Sequence, residues 1–252
     1  MKRDWHPEEF RKLVVLGEST AAGGWSTRPE RCWASILAAL INDLQAEPVV
    51  LVNSAIGGNV VSARSAHYVE SGRPAALERL DKHVIAHRPD LLVIAYGLND
   101  SRAGTPVELF AEEMTNIVRQ VRLHVQPLMV LVGPYYVIDF ARGAPIWSNG
   151  SLELLHQFNQ ATVAVAAKED CLYADVLTAS GGADWMVHYD GVHQNDLGHR
   201  VIANCIFEVL AQNCSGLARH TREIERTAPR WRDESALKAD YGVVSTKAPF
   251  FP

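Results

Sequence analysis

Short runs of apolar residues recur along the chain, each closed by glycine or small polar residues. The stretches between them place apolar residues three and four positions apart. The first run, Leu13-Val14-Val15-Leu16, predicts a buried strand over residues 12–17 that stops at Gly17. From 30 to 45, Trp33, Ile36, Leu37, Leu40, Ile41 and Leu44 share one face of an amphipathic helix. Pro48 precedes a second strand over 49–52, which ends in Asn53-Ser54-Ala55-Ile56-Gly57-Gly58-Asn59. A helix follows Pro74 with Leu77, Leu80 and Val84 inward, and Pro89-Asp90 closes it. A third strand over 91–95 ends in Tyr96-Gly97-Leu98-Asn99-Asp100. Thr105-Pro106 reads as an N-cap with proline at the first helical position, ahead of a helix burying Phe110, Met114, Ile117, Val118, Val121 and Val125. A fourth strand over 128–132 is ended by Gly133-Pro134. A helix over about 150–168 carries Leu152, Leu155, Phe158, Thr162 and Val165, and a fifth, weaker strand covers 171–176. Asn195-Asp196 caps a last core helix with Leu197, Val201, Ile202, Cys205, Ile206, Val209 and Leu210.

Five strands alternating with helices predict an α/β chain: one parallel sheet with helices on both faces. No internal repeat or low-complexity linker divides it, so residues 1–214 read as one catalytic-sized domain. Beyond about 215, Arg, Glu, Lys and Pro dominate, and the chain ends in Ala248-Pro249-Phe250-Phe251-Pro252. This extension, 215–252, is expected outside the sheet, as a charged helix and an arm that packs on the domain or on a neighbouring subunit of a homo-oligomer.

Composition narrows the function. The 252 residues are 48% hydrophobic and 21% charged, as in a globular chain with a sizeable core. A net charge of -5 gives no reason to expect nucleic acid as a partner, and no stretch reaches the ~18 to 20 apolar residues of a membrane span. The first ten residues are polar and acidic rather than an apolar leader. That predicts a cytoplasmic protein, or one from which a leader has been removed. Cys32, Cys171, Cys205 and Cys214 lack CxxC spacing and read as reduced thiols; no His/Asp/Glu cluster has metal-ligand spacing, so no metal or cofactor is expected.

In an open parallel sheet, ligands sit beyond the carboxyl ends of the strands. Strand one ends in Ser19, strand two in a glycine pair and strand three in Asn99; Asp190-Gly191-Val192-His193 follows late in the chain. Acyl transfer uses these kinds of group: a hydroxyl nucleophile, an imidazole base, a carboxylate that fixes its tautomer, and donors for the oxyanion. Each residue also has a plainer reading. Ser19 would cap a helix, the glycines would permit a tight turn, Asn99 would close a strand, and Asp175 or Asp184 would orient the base in place of Asp190.

Taken together, these blocks resemble the SGNH/GDSL family of serine esterases and lipases. Gly17-Glu18-Ser19 stands where the family has Gly-Asp-Ser, and Gly58 stands at the oxyanion glycine of its second block. Gly97-Leu98-Asn99-Asp100 matches Gly-x-Asn-Asp, and Asp190-Gly191-Val192-His193 matches Asp-x-x-His. The resemblance spans about 12–212. It implies a flavodoxin-like three-layer fold, with Ser19 as nucleophile, His193 as general base and acid, and Asp190 as the orienting acid. The Ser19 amide, the Gly58 amide and the Asn99 side chain would form the oxyanion hole. Glu18 departs from the family's Asp, which leaves open any loop bond made there.

The expected activity is hydrolysis of small carboxylic esters, acetyl groups on a carbohydrate first among them. Aromatic residues near the strand ends (Tyr135, Tyr136, Phe140, Trp147, Trp25, Trp185) read either as walls for an acyl group or sugar or as ordinary core. Arg64 and Arg102 read as solvated charges, and His188 and His199 as structural or solvent-facing. Two other functions remain: a non-catalytic FMN or phosphate binder using Ser19-Thr20-Ala21-Ala22-Gly23-Gly24, and an acyltransferase using the same site.

Overall fold

The computed structural model describes residues 2–71, 74–228 and 234–242. The first strand, β1 (Lys12–Gly17), is followed at once by a single helical turn, α1 (Ser19–Ala22), and then by α2 (Trp33–Asn42). Next come β2 (Val50–Asn53), a short α3 (Leu80–His83), β3 (Leu91–Ala95), α4 (Leu98–Ala103) and α5 (Val107–His124). The chain continues through β4 (Leu128–Val132), α6 (Leu152–Lys168), β5 (Leu172–Ala174), α7 (Val176–Ala179) and α8 (Asp196–Asn213).

The five strands form one parallel sheet in the order β2-β1-β3-β4-β5. Strand side chains alternate between the two faces. Leu13, Val15, Leu91, Val93 and Val130 pack with α2 and α8, while Val14, Leu16, Leu92, Ile94 and Leu131 pack with α5 and α6. Both faces of the central strands are therefore dry, and this is why they read in sequence as unbroken apolar runs. Order reverses between β1 and β3. The turns leaving these two strands open the crevice where a doubly wound sheet takes its ligand.

The ends of the long helices follow local chemistry. The Asn195 side chain accepts from the amides of Leu197 and Gly198, at 3.0 and 3.1 Å, and starts α8. Ser151 accepts from Leu154 and starts α6. Each such cap is worth about 1 kcal/mol.

Several elements differ from the expectation. The amphipathic stretch at 30–45 is a 3₁₀ turn, Pro29–Arg31, followed by a helix that ends at Asn42. The stretch after Pro74 is broken into two 3₁₀ turns flanking α3. Thr105 does not cap α5: its hydroxyl is taken up by Asp100 and by the amide of Ala66, and Pro106 itself stands at the cap position. The fifth strand is only three residues long. Residues 215–219, the start of the extension, dock on the chain's own N-terminal segment. Gly216 N donates to His6 O, Ser215 to Asp4, and Arg219 pairs with Glu8. The arm ending in Ala248-Pro249-Phe250-Phe251-Pro252 lies outside the described residues. Among those described, no single helix is long and apolar enough to cross a membrane.

Candidate active site

Ser19 opens α1 directly after β1, and His193 lies just ahead of α8, 174 positions later. The sheet order brings them together. Ser19 Oγ lies 2.9 Å from His193 Nε2, and His193 Nδ1 lies 2.7 Å from Asp190 Oδ2. Asp190 Oδ1 accepts from the amides of Val192 and His193, at 2.9 and 3.0 Å, so the carboxylate is fixed by its own loop. Hydroxyl, imidazole and carboxylate form one hydrogen-bonded line. Asp175 and Asp184 are engaged elsewhere: Asp175 caps α7 and accepts from Asn159, and Asp184 accepts from Tyr136.

The electrostatics of the line follow from burial. Burial opposes ionisation of Asp190, but the amides of His193 and Val192 and the imidazole outweigh it and draw the carboxyl down to about 2. Burial lowers the His193 pKa; Asp190 opposes this, and Arg102 and His188 add to it. The neutral form of His193, with a lone pair available for the Ser19 proton, is therefore favoured.

Asn99 and the glycine pair meet beside this line. Gly57 runs past the nucleophile, where a Cβ would sit 3.8 Å from Ser19 Cβ, and Gly58 has φ +68°, a conformation that glycine adopts without strain. Asn99 Nδ2 donates one hydrogen bond, of 3.0 Å, to the carbonyl of Asn59, which fixes the amide plane. A buried network stands behind that contact. Asn59 Oδ1 accepts from Arg79 Nη2 (3.1 Å) and from Tyr96 OH (2.6 Å), and Asn59 Nδ2 donates to Pro74 O. Arg79 also reaches the carbonyls of Gly17 and Ser54. One buried guanidinium thus ties together the ends of β1 and β2 and the loop carrying Gly58. No signal in the sequence marked Arg79, because its place in a broken helix hides which face it presents.

Glu18 fills the position where the family has Asp. Its two carboxyl oxygens accept from the amides of Leu98 and Asn99, at 2.9 and 2.8 Å, at the start of α4. The longer side chain links the nucleophile turn to the helix carrying Asn99. Complete burial pushes its pKa up to about 8, with the Asn99 amide opposing. Asp100, also buried, receives Val61 N, Ser65 Oγ and Thr105 Oγ1 and holds the opposite side of that turn.

Arg102 was expected to be a solvated charge and is not. It is 5% exposed: its stem lies against Gly150 and its guanidinium donates to the Arg142 carbonyl. Arg64 does reach solvent and pairs with Glu112 and Glu113. His199 is buried, with Nδ1 facing the amide of Trp33, while His188 sits 3.5 Å from Asp190 Oδ1. The aromatic residues divide. Tyr135 is core, Trp185 and Tyr189 are exposed on the loop that carries Asp190 and His193, and Trp25 lies flat on the His193 ring. The phosphate-loop reading of 19–24 finds no cradle: Ser19, Thr20 and Ala21 are buried in a helical turn, and the Ser19 hydroxyl faces His193. Among the described residues, no group of three His, Cys, Asp or Glu side chains is placed to hold a metal ion.

Residues 15–201 match the GDSL-like Lipase/Acylhydrolase family. An arylesterase of Vibrio mimicus is 26% identical over 128 residues, which is 50% of this chain and 57% of that protein, so the likeness spans little more than half of the relative. Among solved structures, a lipase/acylhydrolase from Enterococcus faecalis superposes with a TM-score of 0.62 at 22% identity, covering 80% of this chain and 96% of that one. TesA gives a TM-score of 0.64 at 20% identity, with 80% and 99% covered. Axe2, an acetylxylan esterase from Geobacillus stearothermophilus, gives 0.59 at 20% identity, with 79% and 94% covered. At these identities the structural likeness speaks for the fold.

Proposed function

The chain belongs to the GDSL-like lipase/acylhydrolase family, and from that premise we propose that it hydrolyses small carboxylic esters through an acyl-enzyme on Ser19, with O-acetyl groups on a carbohydrate as the favoured substrate. The observation that carries the reading is the line Ser19 Oγ–His193 Nε2–Nδ1–Asp190, with distances of 2.9 and 2.7 Å.

Each group takes one role. As Ser19 Oγ attacks the ester carbon, its proton passes to His193 Nε2, and Asp190 holds Nδ1–H and offsets the imidazolium charge. The carbonyl oxygen gains negative charge and is met by the amides of Ser19 and Gly58 and by the second hydrogen of Asn99 Nδ2, the first being held by Asn59. His193 then protonates the departing alcohol oxygen. Water repeats the sequence on the acyl-enzyme, with His193 again as base. Asn99→Ala removes one oxyanion donor and is expected to lower kcat by about 10²–10³ with little change in KM. An effect below tenfold on kcat would remove Asn99 from the mechanism.

The pH dependence follows from His193. Only the neutral ring accepts the Ser19 proton, so kcat/KM rises with pH as the ring deprotonates. Burial lowers its pKa, and the midpoint in the free enzyme is expected below the ~6.5 of an exposed histidine. A midpoint above that value, or a flat profile, would contradict the assignment.

The substrate class rests on the exposed Trp185 and Tyr189 beside the triad loop, whose faces suit a sugar ring, and on Axe2, an acetylxylan esterase, among the structural neighbours. A series of 4-nitrophenyl esters of increasing acyl length, run beside acetylated xylooligosaccharides, tests it. The acetyl ester and the acetylated sugar should give the highest kcat/KM; a steady rise toward long acyl chains would overturn the acetyl reading.

A further inference from the structure

The mechanism above leaves one contact at the site unused. The Trp25 indole lies face to face with the His193 imidazole, with ring centroids 3.3 Å apart and planes 6° from parallel. The contact is built rather than incidental, because the loop bearing Trp25 is clamped to the segment bearing His193. Asp196, three residues beyond His193 and the first residue of α8, accepts from Thr27 N (2.8 Å), Thr27 Oγ1 (2.6 Å) and Arg31 Nη1 (2.5 Å). Inside the loop, Ser26 donates from both its amide and its hydroxyl to the Gly23 carbonyl. Gly23 itself has φ +81°, and a Cβ there would fall 2.5 Å from Cys32 Sγ, so the turn that delivers Trp25 requires glycine.

We propose that Trp25 is a positioning residue for His193: it holds the plane of the imidazole and offers a π face that favours the imidazolium formed as the ring takes the Ser19 proton. This rests on the esterase reading for its catalytic consequence, though not for its physical content. The face of an indole carries negative electrostatic potential and attracts a cation lying over it. His193 is half-way through its cycle a cation, held to Asp190 through one edge of the ring and facing Ser19 and the substrate through another. The stack uses the face and competes with neither edge. It also keeps water from that face, so the ring turns neither toward solvent nor out of line with Ser19.

The charged and titratable groups facing His193 are Asp190 and His188 of its own loop, Arg102 of α4 and His199 of α8. Substitution of Trp25 leaves all four in place. Trp25→Leu keeps an apolar cover and removes the π face; Trp25→Phe keeps a smaller one. At the scale of one cation–π contact near a surface, Trp25→Leu should lower the His193 pKa by about half a pH unit and kcat by about three- to fivefold, with Trp25→Phe in between.

Two readouts test this. Proton NMR titration of the His193 ring in the free protein needs no substrate and reads the stack alone. The pH profile of kcat/KM with 4-nitrophenyl acetate reads its catalytic use. A downward shift in both, graded Leu beyond Phe, supports the proposal. A midpoint unmoved or raised in Trp25→Leu, with changes confined to KM, would overturn it and make Trp25 a pocket wall. If wild-type protein shows no esterase activity, the esterase reading falls, while the NMR titration still decides whether Trp25 favours the protonated ring.

Discussion

Ser19→Ala is expected to lower kcat for a small acetyl ester by on the order of 10⁵ to 10⁶, the scale at which a serine hydrolase loses its nucleophile. The residual rate comes from the oxyanion donors, which the change leaves untouched. Stability should change by no more than about 1 kcal/mol, because the hydroxyl's partner is His193 and the substitution deletes one polar atom without opening a cavity. Turnover measured beside thermal unfolding separates the two effects. A folded Ser19→Ala protein with near-normal turnover would remove Ser19 from the chemistry.

The second large effect is expected at Asp190. Asp190→Asn preserves shape but not function, and the reason lies in the hydrogen bonds. Oδ1 receives two backbone amides, from Val192 and His193, so an asparagine must keep its carbonyl oxygen there and turn its NH₂ toward His193 Nδ1. That pairing demands a lone pair on Nδ1, which places the proton on Nε2, facing Ser19. The ring is then the wrong tautomer to act as base, and kcat should fall by on the order of 10⁴ with KM little affected. Asp175→Asn and Asp184→Asn, at carboxylates engaged away from the imidazole, serve as controls and should stay within a few-fold of wild type. A loss at Asp190→Asn smaller than tenfold would assign the orienting role elsewhere.

What the sequence disclosed and what it hid have physical reasons. The strands were legible because a parallel sheet covered on both faces needs continuous apolar runs, as in β1, β3 and β4. Helices α5, α6 and α8 were legible because 17 or 18 residues give a long apolar stripe to read. Tyr96 to Asp100 read as the end of the third strand, but the short helix α4 already begins at Leu98; six residues are too few for a period to show. Arg102 read as solvated because arginine usually is. Its burial depends on the 142–150 segment folding over it, a tertiary event without a local signature.

The same limit applies around the catalytic groups. Ser19, Gly58 and Asn99 were visible because each follows an apolar strand run, and Asp190 and His193 because of their Asp-x-x-His spacing. Their supports lie far off in sequence: Arg79 on the loop carrying Gly58, the carboxyl oxygens of Glu18 on α4, and Trp25 on His193. The one clue in reach was Glu18 in place of the family's Asp, and it pointed to an altered bond without saying to what. The partner is the pair of amides that open the helix bearing Asn99, 80 and 81 residues away.

The covalent acyl group proposed on Ser19 is tested by the intact mass of protein quenched in acid during steady turnover of 4-nitrophenyl acetate, followed by peptide mapping. A population carrying a single acetyl group per chain is expected, located on the peptide that contains Ser19 and absent from Ser19→Ala protein. Acetyl carried on another residue, or retained at the same level in Ser19→Ala, would contradict it.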